Sequence, residues 1–180
     1  MKKYFSIKEI AINAIIAALY VVLSLISGPL AFIGGSLQFR LSELLNLLVF
    51  FNPVYTLGVT LGCLITNIIS LYGWPDLVVG TLATLISCLL IWAESKFVKN
   101  LLLASLIPCV INATIVPIVI FLYDMSVNLS SFYWISFMWV GLGELIVCTL
   151  IGYPLVLLIS KKYKNFYSLI NATQNIGFKW

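Results

Sequence analysis

The chain has 180 residues, of which 62% are hydrophobic and only 9% are charged, and its mean hydropathy is +1.12. This composition is typical of a protein that folds in a lipid bilayer, and it excludes an ordinary water-soluble domain. The net charge of +4 does not indicate nucleic-acid binding, because nearly all the lysines lie in a few short hydrophilic segments, as topology signals do.

The first helix is predicted at residues 7–27, and Gly28-Pro29 ends it because proline cannot continue a helix. The N-terminus resembles a signal peptide, but the apolar stretch is long enough to span a bilayer, so we expect it to be retained. Three small residues recur along this helix and permit close approach of another helix, within this chain or in another protein. They are Ala11, Ala14 and Ala18.

Five further helices are predicted at residues 39–51, 54–71, 76–92, 101–123 and 133–160, followed by a basic cytoplasmic tail at 161–180. The second is short, since thirteen residues span only ~20 Å of a ~30 Å hydrocarbon core. Six crossings nevertheless place every lysine on one side, whereas five would put Lys96 and Lys99 opposite the N-terminal lysines. We therefore predict a single all-α membrane domain, a bundle of six transmembrane helices with both termini in the cytoplasm.

The four cysteines are interpreted as small hydrophobic side chains. They stand singly in apolar segments without C-x-x-C spacing, and the sequence contains no histidine to complete a metal site. Their positions are Cys63, Cys88, Cys109 and Cys148. We predict no metal site and no cofactor in this chain.

Polar residues within the apolar helices predict a binding site. Residues 38–43 bring an amide, a cation, a hydroxyl and a carboxylate together, and Arg40 and Glu43 can pair or close around a ligand. Glu144 lies deep in helix 6, where a carboxylate costs at least ~2.5–3.5 kcal/mol, and Asn112 reaches a similar depth. We expect an outward-opening polar pocket, in which Glu144 and Asn112 lie deep and the four other polar residues lie nearer the outer surface. The pocket set is Gln38, Arg40, Glu43, Asn67, Asn112 and Glu144.

Structural interpretations of the same residues stay open. Arg40 and Glu43 could form an interfacial salt bridge. Glu144 could make a structural hydrogen bond or pair with Arg40 within the chain, and Asn112 could join helices. Asp76 is interpreted as a helix cap. Packing or an inter-subunit role is favoured for Asn13 and Asn46.

Other classes of function fit less well. An intramembrane hydrolase needs paired aspartates, a zinc cluster or a serine with a basic partner, and no such set is evident, so we expect no enzymatic activity. A channel would need a polar lining through the inner half, which the sequence does not offer. The sequence also lacks a phosphate-binding G-x-x-x-x-G-K-[ST] motif, so energy for uphill transport would come from elsewhere.

Four stretches resemble a known family. They are QFRLSELLNLL at 38–48, GVTLGCLITNIIS at 58–70, D-x-x-x-G-T-L-A-T-L at 76–85 and GLGELIVCTLIGYPL at 141–155. Over residues 8–160 the sequence resembles the substrate-binding S components of energy-coupling factor (ECF) transporters. More narrowly, it resembles the QueT family, which is associated with uptake of queuosine precursors.

The resemblance implies a subunit that works with a membrane coupling protein, which the alanine strip would contact, and with two cytoplasmic ATPases that use ATP. The implied substrate is a 7-deazaguanine such as 7-cyano- or 7-aminomethyl-7-deazaguanine, and another flat polar vitamin is the alternative. Its paired donors suit Glu43 or Glu144, and its acceptors suit Gln38, Arg40, Asn67 or Asn112. The candidates for stacking on the ring are Phe39, Trp74, Trp134 and Phe137.

Overall fold

The computed structural model describes residues 6–28, 39–125 and 129–162, with only the backbone at 129–131, and also Ser168 and Ile170. These residues are mainly helical and include no β-strand. Four helices are long and apolar enough to cross a membrane: Ile7–Ser27 (α1), Gly73–Phe97 (α4), Leu101–Tyr123 (α5) and Phe132–Lys162 (α6). Two shorter apolar segments, Leu41–Phe51 (α2) and Pro53–Ile68 (α3), join them. The prediction of an all-α, multi-pass membrane protein with six helices is confirmed.

Local signals explain where α1 and α5 begin. Ser6 and Glu9 form a reciprocal capping box: the Ser6 Oγ accepts from the Glu9 backbone N–H at 3.2 Å, and the Glu9 Oε2 accepts from the Ser6 N–H at 2.9 Å. Asn100 caps α5 by accepting from the N–H groups of Leu102 and Leu103. Both helices therefore begin where the sequence predicted them.

Helix α4 is longer than the predicted 76–92. It begins at Gly73, which has a φ of 61°, and Pro75 occupies its first turn. At the other end it continues to Phe97, because the charged residues are good helix formers and the Lys96 ammonium lies 3.9 Å from the Trp92 ring centre. Glu94 and Lys96, which follow the predicted end of this helix at residue 92, therefore belong to its last turns.

Besides the short 3₁₀ turn Pro53–Tyr55 that begins α3, three of the described helices contain turns that depart from regular α-geometry. Residues Leu41–Leu47 of α2 form a 3₁₀-helix, and π-helical turns occupy Asp76–Gly80 in α4 and Leu145–Gly152 in α6. A 3₁₀ run of this length and π-helical turns are uncommon and often lie at functional sites.

Two glycines allow α1 and α3 to pack closely. A Cβ on Gly62 would lie 2.6 Å from the Tyr20 Cβ, and one on Gly58 would lie 2.7 Å from the Asn13 carbonyl oxygen. The Asn13 Oδ1 also accepts a hydrogen bond from the Gly58 N–H at 2.7 Å. Asn13 therefore has the packing role favoured from the sequence, and so does Asn46, which is fully buried.

The predicted topology can be tested by cysteine labelling at two exposed positions. The native cysteines are all buried and are replaced by alanine to give a silent background. Phe97→Cys, at a position 84% exposed, should react only from the cytoplasm, and Met125→Cys, at a position 68% exposed, should react from outside. Reaction of residue 97 only from the exterior would contradict the assignment.

Candidate functional site

A cavity of about 310 Å³ lies between the C-terminal ends of α1 and α3 and the beginning of α4. This volume falls within the ~300–1,000 Å³ typical of small-molecule sites. Its polar lining combines hydroxyl groups with one amide, one cation and one carboxylate. These residues are Tyr20, Ser24, Ser27, Arg40, Thr66, Asn67, Ser70, Tyr72 and Asp76. The cavity is therefore the best candidate in the described residues for a small-molecule site with polar contacts.

Arg40 pairs with Asp76 across the cavity wall. The Arg40 Nη2 lies 3.2 Å from the Asp76 Oδ2 and 3.4 Å from its Oδ1, and the Ser70 Oγ donates to the same Oδ2 at 2.5 Å. The interpretation of Asp76 as a helix cap was wrong: its side chain makes no cap and is buried within the π-helical turn. An Arg40–Glu43 pair does not form either, because the guanidinium turns towards α4.

The 3₁₀ geometry of α2 aligns three polar residues. With three residues per turn, side chains at positions i and i+3 stack, so Arg40, Glu43 and Asn46 form one row. The Glu43 carboxylate accepts from the Tyr20 hydroxyl at 2.7 Å and from the Asn46 amide. Glu43 is fully buried, and Tyr20 lines the cavity, so the Tyr20 side chain stands between this carboxylate and the cavity.

Asn67 lines the cavity but uses its amide nitrogen within the protein. The Nδ2 donates to the Asp76 backbone carbonyl at 3.0 Å and to the Thr81 Oγ1 at 3.1 Å. The group that Asn67 can offer a ligand is therefore its oxygen, an acceptor, rather than the donor expected from the sequence.

Glu144 and Asn112 form a second buried cluster away from the cavity wall. The Asn112 Nδ2 donates to the Glu144 Oε1 at 2.9 Å, and the Cys148 thiol donates to the Oε2 at 3.4 Å. All three side chains are buried, and Glu144 directly precedes the π-helical turn of α6. Phe39 packs against the hydrophobic cluster of Cys109, Val147 and Cys148. The two carboxylates that the sequence placed in one pocket thus have separate hydrogen-bond partners, although they are close enough to interact electrostatically.

The predicted stacking residues of helices α4 and α6 do not line the cavity. Trp74 and Trp134 are 63% and 65% exposed, and Phe137 packs on the Tyr133 ring with centroids 6.4 Å apart. Tyr20 and Tyr72, which the sequence did not single out, supply the aromatic rings there. A signal existed for Tyr20, since a tyrosine in the middle of an apolar helix needs a partner for its hydroxyl. Gln38 lies outside the described residues.

The alanine strip faces away from the bundle. Ala11, Ala14 and Ala18 are exposed, whereas Ala17 is buried against α3. A shallow groove of about 240 Å³ beside Ala14 is formed with residues of α3, including Gly58 and Leu61. The strip is therefore available to a partner outside this chain.

Comparison with known proteins identifies the family. The family model described as QueT transporter matches residues 10–161. Over 78 residues the chain is 47% identical to the queuosine precursor transporter QueT of Lactococcus lactis subsp. cremoris (strain MG1363), which covers 43% of this chain and 46% of that relative. The chain thus aligns with less than half of the relative's length. No solved structure matches the chain. Because the family model spans most of the sequence, this multi-pass membrane protein belongs to the QueT transporter family.

Proposed function

We propose that this chain is the high-affinity substrate-binding subunit of an ECF-type importer, and that it takes up a queuosine precursor of the 7-deazaguanine class. Membership of the QueT family and the name of the Lactococcus relative support the substrate class. The observation that carries the proposal is the cavity between α1, α3 and α4, where a cation and aromatic rings line a space of suitable size.

The ligand's hydrogen-bonding edge suits the row on α2. A 7-deazaguanine presents the O6 acceptor beside an N1–H donor and an exocyclic amine. Arg40 is suited to donate to O6, and Glu43, one 3₁₀ turn further, is suited to accept both donors if the Tyr20 side chain moves aside. Tyr20 and Tyr72 would then flank the ring. Glu144, held by Asn112 and Cys148, would support the neighbouring helix instead.

Energy would come from partner proteins. The sequence carries no phosphate-binding loop, so two cytoplasmic ATPases would use ATP on its behalf. A membrane coupling protein would transmit the resulting conformational change to this chain. The exposed alanine strip of α1 is the surface proposed to dock on that coupling protein.

Mass spectrometry of the ligand that remains bound to the purified protein tests the proposal. We expect the mass of a 7-deazaguanine, and we expect uptake of that compound by cells that express the chain together with a coupling protein and two ATPases. Recovery of a different flat vitamin would reassign the substrate, and uptake without the ATPases would refute the ECF assignment.

A further inference from the structure

We infer that Asp76 is a positioning residue for substrate recognition: it holds the Arg40 guanidinium at the cavity wall so that the remaining N–H donors meet a carbonyl oxygen of the ligand. The inference rests on the proposed function for the identity of the ligand. It assigns a role in specificity to the Asp76 side chain and to the residues that hold it.

A hydrogen bond to the carboxylate, a hydrogen bond to the backbone carbonyl and the absence of a side chain at Gly80 together position Asp76. The Ser70 Oγ donates to the Oδ2 at 2.5 Å, and the Asn67 Nδ2 donates to the Asp76 backbone carbonyl at 3.0 Å. Gly80, one turn further along α4, provides the space: a Cβ there would lie 3.2 Å from the Asp76 Cγ and closer still to the Oδ1. The carboxylate is therefore pressed against its own helix, with one oxygen turned towards Arg40 and Ser70.

The pair is asymmetric in a way that suits ligand binding. The Arg40 side chain is 19% exposed, whereas the Asp76 side chain is 2% exposed. Both contacts to Asp76 come from the Nη2, and Arg40 makes no other hydrogen bond to the described residues. A guanidinium has five N–H donors in a rigid plane, so the Nη1 and Nε groups are not used within the described residues, and Arg40 is one of the residues that line the cavity.

A purely structural ion pair would satisfy both partners and leave no donor facing a cavity. Here Asp76 is the buried partner, and neighbouring groups hold its carboxylate. Arg40 is the partner with unused N–H donors, and it lines the cavity. If the guanidinium plane is already fixed before the ligand binds, less conformational entropy is lost on binding. The arrangement therefore favours ligands with an acceptor at one defined position.

The test compares two ligands on wild type and Asp76→Asn by calorimetry. The ligands are 7-aminomethyl-7-deazaguanine and the corresponding 2-amino-7-deazapurine, which lacks the O6 carbonyl. Asparagine keeps the size of the side chain but weakens its hold on Arg40. We expect affinity for the carbonyl ligand to fall on the order of tenfold and affinity for the analogue to change little.

Two further variants separate positioning from folding. Ser70→Ala removes the hydrogen bond from Ser70 to the Asp76 carboxylate and should lower affinity for the carbonyl ligand by a smaller factor. This variant still tests the inference if Asp76→Asn folds poorly. In an Arg40→Lys background, Asp76→Asn should cause little further loss of affinity for the carbonyl ligand, because Asp76 acts through Arg40. The inference would be overturned if Asp76→Asn lowered affinity for both ligands equally. It would also be overturned if Asp76→Asn lowered affinity as much in the Arg40→Lys background as in the wild type. A wild-type protein that binds neither ligand would instead overturn the proposed function.

Discussion

Replacing Ala14 or Ala18 by tryptophan is expected to abolish substrate uptake while leaving ligand binding to the isolated protein nearly unchanged. Both residues are exposed on α1, and Ala14 borders the groove with Gly58 and Leu61. Close approach of a second helix requires small side chains at the contact, and an indole would hold the two backbones apart. Uptake of labelled substrate by cells, measured beside calorimetry on the purified variants, separates docking from binding.

Two neighbouring positions provide matched controls for this experiment. Leu19 is 47% exposed and lies about 100° around the helix from Ala18, so Leu19→Trp should retain uptake. Ala17 is buried where Gly62 contacts its carbonyl oxygen, so Ala17→Trp should prevent folding. Normal uptake by both strip variants would refute the docking surface. Loss of ligand binding in them would mean that the strip supports the internal fold.

Replacing Glu43 by glutamine is expected to lower affinity for a 7-deazaguanine by roughly 30-fold to 1,000-fold, or on the order of 2–4 kcal/mol. The change substitutes an NH₂ donor for one acceptor oxygen, so one charge-assisted hydrogen bond becomes a donor–donor clash. An analogue without the exocyclic amine should lose much less, because it offers the carboxylate one donor fewer. Calorimetry with both ligands measures the difference.

Glu144→Gln is the matched control, since this carboxylate is also buried and also accepts from internal donors. Glu43 contacts the cavity-lining Tyr20, whereas Glu144 contacts Asn112 and Cys148, which do not line the cavity. Replacement of Glu144 should therefore change affinity by less than about tenfold while lowering the melting temperature. A steep loss in Glu144→Gln together with a small loss in Glu43→Gln would contradict this assignment and make Glu144 the ligand's acceptor.

The membrane fold could be predicted because lipid imposes simple rules on sequence. Apolar length marks α1 and α5, and a capping residue marks where each begins, so their first residues follow from local chemistry. Small residues on α1 were also informative, although only the structure separates exposed Ala14 from buried Ala17. Helix ends were less certain where charged residues are good helix formers, as at Lys96 in α4.

The site was harder to predict because its contacts join distant parts of the chain. Arg40 meets Asp76 at a separation of 36 residues, and Tyr20 meets Glu43 at a separation of 23. The 3₁₀ helix that aligns Glu43 with Asn46 has no clear sequence signature, since its residues also suit an α-helix. Depth in the bilayer grouped Glu144 with Glu43, but depth does not tell which hydrogen-bond partners each carboxylate has.

Calorimetric titration of the purified wild-type protein with 7-deazaguanines tests the central claim most directly. We expect saturable binding of a 7-cyano- or 7-aminomethyl-7-deazaguanine at one site per chain, with much weaker binding of the ring that lacks the O6 carbonyl. Competition by an unrelated flat vitamin should be absent. Tight binding of such a vitamin, with no heat from either 7-deazaguanine, would contradict the account.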